Sequence, residues 1–318
     1  MSSRINADIV NPLAGLSAQS ASAGMFRPVF VTGTGTDVGK TYVTALLCRK
    51  LRQSIELACS SDIRAVGYYK AAISGADSIE SSDAGMVNSF AGLGQEPGAL
   101  TSYLYAEAVS PHLAQQHEGS APIDIKTVGA GYKAVHDQVM LTVLEGSGGI
   151  YCPLSWSYER RPYLNSRDES ELAADTHAVP DTKTFSRSNP ESSPVLCDLN
   201  DRCFTISDFM AWINSTVPLN IVVVADASLG CINNTVMTLT SLKAEGFDLA
   251  NVSVILNNYE PTSAMHVDNC RMIEAMTAVP VVATVERGAQ DIELHPHWLS
   301  RILTRVQAVQ RTQPGSSL

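Results

Sequence analysis

The chain has 318 residues, enough for one large α/β domain or two ordinary ones. Hydrophobic residues make up 45% of it, and no apolar run is long enough to cross a bilayer, which excludes a spanning helix. A formal net charge of −10 argues against nucleic acid as a bulk electrostatic partner, while a small anionic ligand stays open because a site answers to local charge.

Residues 1–25 are rich in Ser and Ala and lack a signal-peptide core, so they read as a flexible extension. One arginine and one aspartate make a poor organelle presequence; a cytoplasmic location is expected, with organellar targeting left open. The first strand is expected over 28–32, followed by a Gly/Thr-rich loop and a helix over 40–52. A strand, a bare loop and a helix N-terminus gather main-chain N–H groups around an anion. Lys40 reaches terminal phosphates and the Thr41 hydroxyl suits Mg²⁺, which makes this a nucleoside triphosphate loop, G-x-x-x-x-x-G-K-T from Gly33.

A second strand is expected over 64–70, ending in Lys70, a position where a solvated lysine and a functional one look alike. Asp83 in "SSDA" fits a helix N-cap first and a metal ligand second. A helix over 128–138 precedes an apolar strand over 139–145 that delivers a carboxylate, Glu145, where P-loop proteins keep an acid for their metal. Residues 156–202 are polar, aperiodic and long, and read as an insertion that is disordered or peripheral, an active-site lid, or a small subdomain.

Beyond the insertion, strands are expected over 219–227, 252–258 and 279–285, with helices over 231–245 and 264–276. "HWLSRILTRVQAVQR" is amphipathic and basic, fitting a helix packed on the sheet or a membrane-surface helix, and 311–318 form a tail. Val/Ile/Leu strands alternating with helices predict an α/β fold of the P-loop NTPase-like kind. It is a mostly parallel sheet with helices on both faces, one domain over 26–310 broken by one long insertion. The seven scattered cysteines, without a C-x-x-C pair, read as reduced thiols of an intracellular protein, and His295 and His297 make only a weak metal pattern.

Taken together, "GTGTDVGKT", "YKAAISG", "SSDA", "AEAVSPHLA", "LEGSGGIYCPLS", "SLGCINNT" and "ILNN" resemble the dethiobiotin synthases, in that family's order, over roughly residues 28–155 and 203–295. The resemblance implies a fold and a reaction: ATP- and Mg²⁺-dependent joining of CO₂ to 7,8-diaminononanoate, closing a cyclic urea. It implies that Thr36, Asp37, Val38, Gly39, Lys40, Thr41, Tyr42, Asp83, Glu145, Gly146, Ser147, Gly148 and Asn257 bind ATP, with Asn257 reading adenine. By the same resemblance Thr41, Asp83 and Glu145 would hold Mg²⁺, and Lys70 would join Lys40 as a catalytic lysine. The resemblance further implies that Ser74 contacts the amine substrate and that Gly230, Cys231, Ile232 and Asn233 take its distant carboxylate from the other subunit of a homodimer. No nucleic-acid or membrane partner is implied. Gly35, Ala71 and Ser147 depart from the family's frequent aspartate, proline and alanine, and "TVERGAQ" (284–290) stands where a Pro-x-Leu stretch flanks the base. Two other readings share the architecture: a P-loop amide-forming ligase, and a partition-type ATPase switch, which carries an early loop lysine where this chain has Thr34.

Overall fold

The computed structural model describes residues 21–156 and 203–304. The N-terminal extension up to residue 20, the insertion from 157 and the tail from 305 lie outside the described residues.

Seven parallel strands form the sheet, in the order β3-β2-β4-β1-β7-β8-β9. They are β1 (Val29–Gly33), β2 (Arg64–Ser74), β3 (Thr101–Tyr105), β4 (Val139–Glu145), β7 (Asn220–Asp226), β8 (Val252–Asn257) and β9 (Val281–Val285). Every residue of β1, β4 and β8 is buried, which is why their sequences run apolar without alternation. Helices cover both faces. Val43 and Leu47 of α1 (Lys40–Ala58), Val87 of α2 (Asp83–Ala91) and Trp298 of α8 (Pro296–Ile302) pack on one side. On the other lie Val128 of α4 (Ile125–His136), Phe209 of α5 (Ile206–Thr216), Leu239 of α6 (Cys231–Ala244) and Ile273 of α7 (Ala264–Thr277). The short α3 (Pro111–His117) completes the set.

The strand order positions the chemistry. β1 sits between β4 and β7, while its own α1 carries the chain over to β2, on the far side of β4. The loop after β1 therefore opens where the crossovers part, at the carboxyl ends of the strands, where such sheets bind ligands. Register completes the placement: Glu145 lies opposite Val31 on one side and Lys70 on the other.

The structure adds elements that the sequence pattern hides. β3 is an edge strand whose middle three residues are only partly buried, so it lacks the apolar run that marks the others. Glu145 consequently ends the fourth strand rather than the third. β2 continues through Lys70 to Ser74, so Lys70 is buried within a strand instead of terminating it. The helix α5 announces itself by a capping box, with the Thr205 hydroxyl accepting from the Asp208 amide and the Asp208 carboxylate accepting from the Thr205 amide. Just before it, β5 (Pro153–Ser155) and β6 (Phe204–Thr205) pair antiparallel, so the chain bordering the insertion leaves and returns side by side.

At the start, the Gly24 and Phe26 amides donate to the carbonyls of Val139 and Met140 at 2.8 and 3.0 Å, and Met25 is buried. Packed chain thus begins a little before residue 26. In α8, Trp298 and Ile302 are buried against the sheet, and Arg301 donates to the Ser253 hydroxyl at 3.0 Å. This portion of the C-terminal amphipathic stretch is a packing helix. Among the described residues no helix is long and apolar enough to cross a membrane.

Candidate functional site

The loop between β1 and α1 is shaped by two left-handed residues, Asp37 (φ 60°) and Gly39 (φ 85°). Gly39 is also the N-cap of α1 and offers no side chain to satisfy the helix's first amides, so these remain directed at whatever occupies the loop. A Cβ on Gly39 would lie 2.0 Å from Asn257 Nδ2, which makes glycine obligatory there. Gly35 is different. A Cβ at that position meets nothing within 4 Å, so an aspartate, frequent there in the resembled family, would fit as well. The Lys40 ammonium bends back over the loop and donates to the Gly35 carbonyl at 2.7 Å. Burial lowers its pKa, and the neighbouring Glu145 charge opposes that shift.

Glu145 is the hub. Its side chain is fully buried, and Oε1 accepts from Thr41 Oγ1 at 2.7 Å and from Lys70 Nζ at 2.8 Å. Lys70 Nζ donates equally to Asp83 Oδ2 at 2.7 Å. The lysine, ambiguous as a strand-end residue, is thus held between two carboxylates. Burial lowers the Lys70 pKa, but Glu145 and Asp83 outweigh it and the net shift is upward. Burial raises that of Asp83, and Lys70 reverses it to a net depression. Asp83 is not the helix cap that its spacing suggests. Ser82 caps α2 by accepting from the Gly85 amide at 3.4 Å, leaving the Asp83 carboxylate free to turn toward Lys70.

These shifts carry a pH dependence. The depressed Asp83 pKa contributes stability that is complete above the ordinary carboxyl value near ~3.9 and is lost as pH falls through the folded-state value. The raised Lys70 pKa contributes stability that is complete below ~10.4 and is lost as pH rises through the folded-state value. The stability gap between wild type and Lys70→Met, followed by thermal unfolding, is therefore expected to be flat from about pH 5 to 9 and to narrow at both extremes. A gap that widened on acidification would contradict the ion pairs.

Asn257 ends β8 and is buried beneath the loop, where its Nδ2 donates to the Val38 carbonyl at 3.1 Å. Its Oδ1 is buried without a hydrogen-bond partner among the described residues, an acceptor that asks for a donor. The Tyr42 hydroxyl donates to the Ala289 carbonyl, tying α1 to the 284–290 segment that departs from the family pattern. Ser147 donates to the Ala72 carbonyl at 2.9 Å, and Gly148 lies beside Thr36, whose Oγ1 a Cβ on the glycine would approach at 3.9 Å. The strand end over 145–148 and the phosphate loop thus face one another.

The expected substrate contacts are less closely joined. The Ser74 hydroxyl donates to the Val109 carbonyl at 2.5 Å, on the segment matching "AEAVSPHLA". Gly230 (φ 95°) caps α6 at the carboxyl end of β7, and the Cys231 amide is taken by the Ser228 carbonyl at 3.0 Å. Among the described residues no hydrogen bond links 230–233 to the lysine–carboxylate cluster. Sequence reasoning passed over Tyr68, whose hydroxyl donates to Glu145 Oε2 at 3.3 Å. The signal was its spacing: two residues before Lys70, it shares that residue's face of β2.

Thr41, Asp83 and Glu145 present only oxygen donors, linked within hydrogen-bond reach through Glu145 Oε1 and Lys70. Hard oxygen donors of this kind suit Mg²⁺, which takes one or two protein carboxylates and completes its shell with water and phosphate. The residues present fit the metal.

A parallel sheet with helices on both faces, a loop of main-chain amides ending in Lys40-Thr41 and an acid on the adjacent strand define a P-loop nucleotide-binding protein. The model of the AAA domain family matches residues 27–157 and 199–290. An ATP-dependent dethiobiotin synthetase BioD of Brachyspira hyodysenteriae is 31% identical, covering 83% of this chain and 94% of the relative. One from Clostridium botulinum is 31% identical over 81% of this chain and 89% of its own. The chain belongs to the dethiobiotin synthetase family. Among solved structures, the signal recognition particle receptor FtsY of Elizabethkingia anophelis in complex with GDP is 13% identical with a TM-score of 0.43, covering 93% of this chain and 70% of that one. A ParA family ATPase of Chlorobium tepidum is 12% identical with a TM-score of 0.40, over 86% and 98%.

Proposed function

We propose that the protein is an ATP- and Mg²⁺-dependent dethiobiotin synthase of the cytoplasm, acting on 7,8-diaminononanoate and CO₂. The observation that carries this reading is the convergence of Lys70, Asp83, Glu145 and Thr41 beside the Lys40 loop, in a chain of this family. One amine, as the free base, traps CO₂ as a carbamate anion and loses one proton to solvent. A carbamate oxygen attacks the γ-phosphorus as the bond to the ADP oxygen breaks, giving a carbamic–phosphoric anhydride. The second amine attacks the carbonyl carbon, closes the urea ring and expels phosphate, with its proton lost to solvent.

The chain's task is electrostatic. An anionic carbamate approaching an anionic triphosphate at about 4 Å costs on the order of 4 kcal/mol at an effective dielectric near 20. The ammonium groups of Lys40 and Lys70 and the loop amides offset that repulsion. Thr41, Asp83 and Glu145 would hold Mg²⁺, which when bound would supply further neutralisation of phosphate charge. Asn257 Oδ1, the buried acceptor without a partner, suits the exocyclic amine of adenine. Gly230–Asn233, at a helix start, suits the substrate's carboxylate across a homodimer interface, with Leu229 and Met237 exposed beside it.

Incubation with ATP, Mg²⁺, bicarbonate and 7,8-diaminononanoate is expected to yield the ureido product by mass spectrometry, with one phosphate released per ring closed. Phosphate released without that product would turn the reading toward another P-loop ligase or an ATPase switch.

A further inference from the structure

We infer that Tyr68 is a positioning residue for Glu145, held in its place by an amide clamp from Gln95. The inference rests on the reading of Glu145 as a metal-holding carboxylate. Three observations carry it. First, the two oxygens of Glu145 are divided: Oε1 serves Thr41 and Lys70, and Oε2 accepts from the Tyr68 hydroxyl. With the side chain fully buried, rotation of the carboxylate is governed by those three donors. Tyr68 alone of the three is on Oε2, while the other two share Oε1.

Second, Tyr68 belongs to the sheet at a point where β2 has no neighbour on the β3 side. The β2–β3 pairing begins at Lys70, opposite Thr101. The Gln95 side chain fills that gap. Its Oε1 accepts from the Tyr68 amide at 2.6 Å and its Nε2 donates to the Tyr68 carbonyl at 3.1 Å, the pair of bonds a further strand would have made. Third, the clamp is itself braced. Asn88 of α2 donates to the Gln95 carbonyl at 2.9 Å and accepts from its amide at 3.0 Å. Since α2 begins with Asp83, one chain of bonds spaces both carboxylates: Asp83 through α2, and Glu145 through Tyr68. Gln95 is buried, so these bonds between Tyr68 and α2 are shielded from water.

The test uses the full chain with Tyr68→Phe, which keeps the ring and removes one donor. Calorimetric titration of Mg²⁺ into the complex with a non-hydrolysable ATP analogue, corrected by a titration into the analogue alone, reads the metal. Groups that orient metal ligands typically shift metal affinity by about 10- to 100-fold when removed. The Mg²⁺ dissociation constant is expected to rise at least about 10-fold, with the analogue's affinity measured in EDTA unchanged. In steady state the loss should fall on the Mg²⁺ concentration for half-activation rather than on kcat at saturating Mg²⁺. A merely structural tyrosine would lower the unfolding midpoint and leave the metal constant alone. Should Tyr68→Phe not fold, Gln95→Met, which releases the clamp and keeps the hydroxyl, is titrated in the same way and is expected to weaken Mg²⁺ in the same direction. A metal constant within twofold of wild type in the variant that folds overturns the inference while leaving the site's reading intact. Failure of the wild-type protein to bind Mg²⁺ with the analogue overturns both.

Discussion

Replacing Lys70 by glutamine is expected to lower the rate of ring closure by about 10²- to 10³-fold, the range seen when one preorganised charge donor is removed from a reacting oxyanion. Nucleotide affinity should stay within a few fold of wild type, because Lys40 and the loop amides are untouched. The same substitution bears on stability. Glu145 is fully buried and would lose its cation while keeping Thr41 and Tyr68 as donors. Breaking a buried ion pair from one side costs about 3–5 kcal/mol, and the two remaining donors place this case toward the lower end. Thermal unfolding of the ligand-free variant should register that loss. Mg²⁺ and nucleotide added together should then raise the variant's midpoint by more than the wild type's, since a cation returns to carboxylates that had lost one. Turnover near the wild-type rate would remove Lys70 from the reaction. An unchanged midpoint would remove the ion pairs from the ledger of stability.

Much of this site could be read in the residues themselves because its parts obey strong local rules. A strand, glycines and Lys40-Thr41 leave few alternatives, and the apolar strand delivering Glu145 has no structural motive for a charged tip. The central strands are legible for the same reason: burial on both faces makes them continuous runs. What escaped depends on partners far along the chain. Lys70 looks solvent-bound until Asp83 and Glu145 arrive from other elements, 13 and 75 residues away. Asp83 imitates an N-cap because its neighbour Ser82 fills that role one residue earlier. β3 escaped because an edge strand shows one protected face and no continuous run. Gln95 replaces a strand's hydrogen bonds with a side chain, a substitution that leaves no periodic trace.

Gly39→Ala is expected to abolish useful nucleotide binding, by at least about 100-fold, while costing about 2 kcal/mol of stability. Two separate constraints meet at this residue. Its φ of 85° lies in the left-handed region, where an added Cβ is strained whatever the surroundings. The Cβ would also lie 2.0 Å from Asn257 Nδ2 and 3.1 Å from Asn257 Cγ. Asn257 cannot simply swing aside, because it is buried at the end of β8 and bonded to the Val38 carbonyl. Relief must come either from the loop, which displaces its main-chain amides, or from the carboxamide, which would give up the base contact proposed for it. Urea unfolding and nucleotide titration separate the two constraints when the double variant Gly39→Ala with Asn257→Ala is included. Removing the carboxamide should return part of the lost stability, giving a non-additive cycle, whereas the left-handed strain remains. Strictly additive losses would mean that the loop and Asn257 are not in the contact described, and wild-type nucleotide affinity in Gly39→Ala would mean that the loop does not hold a phosphate at all.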